Sequence, residues 1–305
     1  MYFGLSEEQQ FFQESIDKFL EDTVTVDALR SYRTGEDDNL IDDVFNGLNE
    51  LGLSGLIIPE EYGGLGLDSL FAISVSESLG KGVAPYPFIG SFLIAPFLIN
   101  KLGSDSQKQK YLPSIANGEY RFAVALTEMT GRRIEKGIQS SKQKLSGQSL
   151  FVMDDIHSTH YLILDSDGAL HIVEAEESGL EKVELKTVDI TSFVSELKLD
   201  QVKTEDLGNG PGNIDAIKQA INLGRVAIAA ETLGASQCML NRSVDYAKER
   251  KQFGRAIGSF QAVKHMCAQM ASDLEPCYSM VWYAAHSIDH IPHEADLMAC
   301  QTKAH

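Results

Sequence analysis

Cysteine is scarce: Cys238, Cys267, Cys277 and Cys300 are the only four in 305 residues. None forms a CxxC pair, and all fall in segments of helical pattern. That excludes a disulfide framework and the common zinc spacings, and it suits free thiols in a reducing compartment. Basic residues are also few, 26 Lys and Arg against 44 Asp and Glu, a formal charge of −18. Such an excess of acid repels phosphate backbones and anionic lipid, which argues against nucleic-acid and membrane-surface partners. No apolar run reaches the roughly 18 residues that span a bilayer. The longest, Phe88 to Leu98, is broken by Pro96. Met1 to Gln13 has neither the basic-then-apolar pattern of a secretory signal nor the arginines of a mitochondrial presequence, so the expected location is cytoplasmic, or an organelle after processing. GxxxxGK[ST] and GxSxG are missing too, which removes P-loop nucleotide chemistry and the common serine hydrolases.

What is present is segregated. The first 118 residues read as helices. Ser6 to Gln9 and Ser104 to Gln107 have the form of capping boxes, and Phe12, Ile16, Phe19 and Leu20, then Leu40, Val44, Leu48 and Leu51, recur at helical spacing. Asp68 stands where a further helix, running to about Gly82, would be capped. From Tyr120 the pattern changes to short β-type runs at Arg121–Thr127, Leu150–Asp154, Tyr161–Leu164, Leu170–Glu174 and Glu196–Val202. From Asn213 the helical period returns. It predicts a helix to about Glu249, a second from about Ser259 into the 286–293 region, and a third still helical at His305. The expected fold is α+β, mainly α. A helical domain spans 1–119, a small β-domain 120–212, and a helical-bundle domain 213–305 that is incomplete at its C-terminus. Segregation of this kind argues against a doubly wound nucleotide-binding sheet.

Two local features invite a site and are weak. Gly208-Asn209-Gly210-Pro211-Gly212 has the wrong spacing for GxGxxG, and Pro211 lacks an N–H, so it reads as a linker. His286, His290 and His293, with Asp289 beside them, share a helical face. Pro292 and the lack of HExxH favour a solvated or interface cluster over a metal site.

A further set of motifs goes together: PEEYGGLG at 59–66, ESLG at 77–80, SQKQKYLPSIANGE at 106–119, AVALTE at 123–128, LGRVAIAAETLGASQ at 223–237 and YAKERKQFGRAIGSFQ at 246–261. In this order the chain resembles the acyl-CoA dehydrogenases over nearly its whole length, and the last motif is the most specific. Arginine keeps its proton and offers a planar fork of donors suited to a diphosphate. The resemblance implies that Arg250, Gln252, Phe253 and Gln261 reach across a subunit interface to FAD, so that the protein is at least a dimer. It implies that Leu126 and Thr127 meet the pyrimidine edge of the flavin, that Phe151 faces its ring, and that Arg225 lies on the helix lining the acyl site. An internal salt bridge is the other role open to Arg225. A charged tip on a helical hairpin is the plain alternative for residues 246–261. Gly254 is expected to end the first long helix. Lys248, Arg250, Lys251, Arg255, Arg132 and Arg133 are candidates for the basic patch that CoA and FAD require.

The departures are specific. Where the family continues PxAGSD, this chain has Met129-Thr130-Gly131-Arg132-Arg133. Where the family has WITN, it has Phe151-Val152-Met153-Asp154, which keeps an aromatic face and loses a hydroxyl. The proton-abstracting glutamate of the family lies in a late loop, expected beyond residue 305. Some members place it before the arginine matched by Arg225, and Gly224 stands there. Glu231 reads as a helix-surface or interface carboxylate. No catalytic base is identified in these residues. Two functions follow from the resemblance: FAD-dependent α,β-dehydrogenation of an acyl-CoA with an electron-transfer flavoprotein as partner, or a non-catalytic subunit of a hetero-oligomer that completes a partner's FAD site. The assembly implied is a dimer or tetramer, homo- or hetero-oligomeric. A flavin oxidase or monooxygenase on the same scaffold is a third reading.

Overall fold

The computed structural model describes residues 4–36, 39–130, 137–208 and 214–305. The protein is mainly helical with one mixed sheet, and its compact units do not follow chain order. One unit gathers 1–22, 69–84 and 225–305; the other gathers 23–68 and 85–224. Among the described residues no helix is long and apolar enough to cross a membrane. Arg132, Arg133 and residues 209–212 of the glycine-rich segment lie outside the described residues.

In the first unit, α1 (Glu7–Thr23) starts at the expected capping box, with the Gln9 amide donating to Ser6 Oγ at 3.2 Å and the Ser6 amide to Gln9 Oε1 at 2.9 Å. Its Ile16 and Leu20 are buried, and Phe12 meets Phe71 of α4 (Ser69–Gly82). Most of α4 is buried around its girth, as a central helix must be. Its first turn is tied from far away: the Ser69 amide and hydroxyl both donate to the Asp289 carboxylate at 2.9 Å. Asp289 belongs to α9 (Gln261–His290), which is followed by α10 (Pro292–Ala304). The long helix α8 (Ile214–Glu249) crosses α4 backbone to backbone. A Cβ on Gly80 would stand 2.0 Å from the Glu231 carbonyl oxygen, and one on Gly234 1.9 Å from that of Glu77. Only glycine permits such an approach, which gives the ESLG and LGAS motifs a packing role.

In the second unit, α2 (Val26–Thr34) is a short helix capped by Thr25 with no buried residue, so no hydrophobic period marks it in the sequence. Its neighbour α3 (Leu40–Glu50) buries Leu40, Val44, Phe45 and Leu48. The apolar run is not broken at Pro96. A fully buried π-helical segment, Phe88–Ile94, leads into α5 (Ala95–Leu102), where proline fits because first-turn amides lack helical partners. Helix α6 (Asp105–Ala116) begins at the second capping box.

The sheet order is β6-β7-β3-β1-β4-β5-β8, with β2 on β3. Strand β1 (Phe122–Ala125) runs parallel to β4 (His160–Leu164) and antiparallel to β3 (Lys144–Met153). Strands β5 (Leu170–Glu174) and β7 (Val194–Lys203) complete the set with an apolar sequence signal. Strands β2 (Gln139–Ser141), β6 (Leu180–Glu184) and β8 (Glu205–Leu207) are polar and lie at or off the sheet's ends. Glu205 is held by Tyr111 and Gln107 at 2.7 Å each. Ala123, Leu145, Val152, Ile163, Val173 and Leu197 belong to the core beneath the sheet.

Candidate functional site

Strands β1 and β3 deliver the first group of expected site residues to one end of the sheet. Leu126 is buried at the end of β1. Thr127 opens a single helical turn, α7 (Thr127–Thr130). Its hydroxyl donates to the Leu150 carbonyl at 2.9 Å and lies 2.8 Å from Ser149 Oγ. The donor of Thr127 is thus engaged, and Oγ1 retains acceptor capacity, enough for an imide N–H but not for a carbonyl. The β3–β7 register shifts between Ser149 and Val152. Bulges of this kind re-aim a side chain, and Phe151 stands 64% exposed with φ +54°. At the strand's end Asp154 turns back, with φ +59°, to the π-helical segment and accepts the Gly90 amide at 2.5 Å and the Ser91 amide. Burial pushes its carboxyl up to about 6, against those two bonds, which lower it. Ser91 Oγ donates to the Phe122 carbonyl at 2.7 Å, a second tie from the same segment to the same strand ends.

The hairpin at 250–261 belongs to the other unit. Gly254 does not end a helix. Helix α8 stops at Glu249, and a two-stranded ribbon, β9 (Lys251–Gln252) with β10 (Arg255–Ala256), precedes α9. Phe253 and Gly254 form its turn with φ of +52° and +78°. Positive φ at both central residues is the pattern of a type I′ turn, whose twist matches a hairpin. For phenylalanine that conformation costs about 1–2 kcal/mol, and the ring is 93% exposed, with one edge contact to Phe260 at 6.1 Å. An aromatic side chain held under strain in solvent is unexplained by the packing of its own unit. Arg250, Gln252 and Gln261 are exposed beside it, and the Arg250 guanidinium has no ion pair among the described residues. Arg255 lies over the Phe260 ring at 4.1 Å, and Lys248 meets Asp245 at 3.3 Å. Four cations, Lys248, Arg250, Lys251 and Arg255, therefore cluster at this tip of an acidic chain. An uncommitted guanidinium, two amide side chains and a bare ring fit the diphosphate and flat ring of a dinucleotide such as FAD.

Arg225 is the internal partner its plain reading allowed: Nη1 lies 3.7 Å from Asp296 Oδ1 and donates to Cys300 Sγ at 3.5 Å. At Gly224 a Cβ would stand 2.9 Å from Ile94 Cδ1 and 3.6 Å from Ile89 Cγ2, so Ile94 would have to shift for any side chain there. Glu231 sits at the α4–α8 crossing. Asp289 is spent on the first turn of α4, His293 is exposed, and no group of three His, Cys, Asp or Glu among the described residues is arranged to hold a metal ion. Gly90, Ser91 and Ser149 carry no motif of their own. Only the missing hydroxyl at Met153 and the acid at Asp154 signalled an unusual strand end.

The description "Acyl-CoA dehydrogenase, N-terminal domain" matches residues 6–119, and "Acyl-CoA dehydrogenase, C-terminal domain" matches 213–304. The 3-(aryl)acrylate reductase of Clostridium sporogenes is 32% identical over 263 residues, covering 78% of this chain and 69% of its own. An acyl-CoA dehydrogenase of Bacillus subtilis is 31% identical over 260 residues, covering 77% and 67%. Among solved structures, the electron transferring flavoprotein work on Acidaminococcus fermentans provides a neighbour with TM-score 0.86 at 27% identity, covering 99% of this chain and 85% of the other. The ChsE4-ChsE5 complex of Mycobacterium tuberculosis gives 0.86 at 25% identity, covering 99% and 83%.

Proposed function

The chain belongs to the acyl-CoA dehydrogenase family, and we propose that it serves FAD-dependent α,β-dehydrogenation of an acyl-CoA thioester, with an electron-transfer flavoprotein as redox partner. The observation that carries this reading is the exposed tip around Phe253, with its uncommitted arginine. Bound FAD would supply the acceptor for the hydride that leaves the substrate's β-carbon. Arg250 would bind the cofactor diphosphate of a neighbouring protomer, with Gln252 and Gln261 donating beside it and Phe253 covering an apolar face. Thr127 Oγ1 would accept from the flavin imide, Leu126 would close the pocket behind it, and Phe151 would lie against the ring. Arg225 would hold the helix that lines the acyl site. The base that takes the α-proton comes, in this reading, from outside residues 1–305, because Gly224 offers no carboxylate and Glu231 lies at a helix crossing. We assign the three segments 1–119, 120–212 and 213–305 as domains, place the protein in cytoplasmic fatty-acid or lipid catabolism, and take its assembly to be a dimer or tetramer.

The altered strand end favours a second reading. With Met153 in place of a hydroxyl residue and no base at Gly224, the chain would act as the non-catalytic subunit of a hetero-oligomer, lending its hairpin to a partner's FAD. The purified full-length protein decides between them. A yellow protein whose flavin absorbance bleaches with a saturated acyl-CoA supports dehydrogenation. A colourless chain that retains FAD only when co-expressed with a catalytic partner supports the second reading. A chain that neither holds FAD alone nor affects a partner's retention refutes both.

A further inference from the structure

The π-helical segment 88–94 is gripped from two sides within its own unit. Asp154 Oδ2 accepts the Gly90 amide at 2.5 Å and the carboxylate also accepts from Ser91. The absence of a side chain at residue 90 is part of the grip, since a Cβ there would lie 3.1 Å from Asp154 Oδ2 and 3.2 Å from Asp154 Cβ. On the other side, Ile94 and Ile89 fill the space over Gly224. Asp154 itself sits at the end of β3 in a left-handed conformation, which aspartate tolerates better than most side chains. Its carbonyl accepts from the Ile156 amide at 3.0 Å and the Ser158 hydroxyl at 3.4 Å. A left-handed backbone, a close approach and two amide donors converge on one carboxylate that the proposed chemistry does not use.

We propose that Asp154 is a positioning residue: its carboxylate locks the π-helical segment to the strand end on which the cofactor ring would rest. The cofactor half of this statement rests on the proposed function; the lock itself does not. An ionised acceptor makes hydrogen bonds about twice as strong as a neutral one, so the lock is tightest when Asp154 is charged. The groups facing that charge from segment 88–94 are the two backbone amides, Gly90 and Ser91. The adjacent Asp155 is committed elsewhere, to Lys182, Tyr161 and Ser195. Arg121, at the start of β1, lies over the Phe45 ring. Proton uptake by Asp154 near pH 6 therefore weakens the lock without a competing charge partner.

The test compares wild type with Asp154→Asn, using amide hydrogen exchange at pH 7.5 and equilibrium dialysis of FAD at pH 7.5 and 5. Gly90 and Ser91 should exchange about tenfold faster in the variant. FAD should bind about tenfold more weakly to the variant at pH 7.5, and wild-type affinity should fall towards the variant's at pH 5 while the variant's stays flat. A merely structural aspartate would not produce that pH profile. Unchanged exchange at Gly90 and Ser91 overturns the lock. Faster exchange with equal FAD affinity overturns its role as a positioning residue. Should the variant fail to fold, a wild-type affinity that is the same at pH 7.5 and 5 overturns the proposal, and a fall between them supports it. A wild-type assembly that binds no FAD under any condition refutes the proposed function instead, and the exchange measurement still judges the lock.

Discussion

Replacing Gly80 by alanine turns the α4–α8 crossing into a measurement whose sign is informative. Alanine is the better helix former by about 1 kcal/mol, so at a loosely packed position Gly80→Ala would stabilise the protein. At the crossing the added methyl would stand 2.0 Å from the Glu231 carbonyl oxygen and 2.5 Å from the Glu231 Cα. Cβ contacts below 3.0 Å essentially do not occur, so the two backbones must part by roughly 1 Å. A gap of that size forfeits a quarter to a half of the dispersion energy of the facing atoms, and overpacking of this kind costs about 3 kcal/mol. The net destabilisation is about 2 kcal/mol after the propensity gain. At 2–4 °C per kcal/mol for a large domain, the melting temperature should fall by roughly 4–8 °C. Gly234→Ala meets Glu77 at 1.9 Å and should behave alike. Because both substitutions part the same helices, the double variant should lose less than the sum. Thermal denaturation of the four proteins decides it. A rise in melting temperature for Gly80→Ala, or strict additivity in the double variant, would refute this description of the crossing.

Other outcomes follow from single contacts. Asp289→Ala removes both acceptors from the first turn of α4 and should cost about 1–2 kcal/mol in chemical denaturation. Glu77 is held at about 6 by burial and by Asp17, against a hydrogen bond from Trp282 and the charge of Lys81. The folded state thus binds its proton more tightly than the unfolded one. The stability this gives is complete below pH 4.5 and is lost as pH rises through 6, a change of about 2 kcal/mol that Glu77→Gln should abolish. Arg225→Met breaks an exposed 3.7 Å pair and should shift stability by less than about 1 kcal/mol; a role in the acyl site would appear as a raised KM in the active assembly. Gly224→Glu should destabilise by about 1–3 kcal/mol through Ile94 without creating a base, and Ile94→Ala should relieve the clash.

The apolar strands, both capping boxes and the three C-terminal helices were legible because each carries a local signal: a period, or a cap followed by Gln. Helix α2 and strands β2, β6 and β8 were not, because they bury little and are polar. Pro96 looked like a break and stands in the first turn of α5, a distinction that depends on where the preceding π-helical segment ends. At the candidate site, residue types at 250–261 pointed to anion and ring binding, but the turn did not: Gly254 suggested a helix stop, whereas Phe253 shares the left-handed turn with it. The engagement of the Thr127 hydroxyl and the reach of Asp154 to Gly90 span 23 and 64 residues, beyond any local pattern.

The Arg250 guanidinium, which has no ion pair among the described residues, is the group proposed to hold the cofactor diphosphate. The direct measurement is FAD content per protomer of the intact assembly after desalting, for wild type and Arg250→Glu, with folding checked by circular dichroism. The wild type should be yellow, and the folded variant should have lost most of its FAD. A folded Arg250→Glu assembly that keeps its full complement would contradict it.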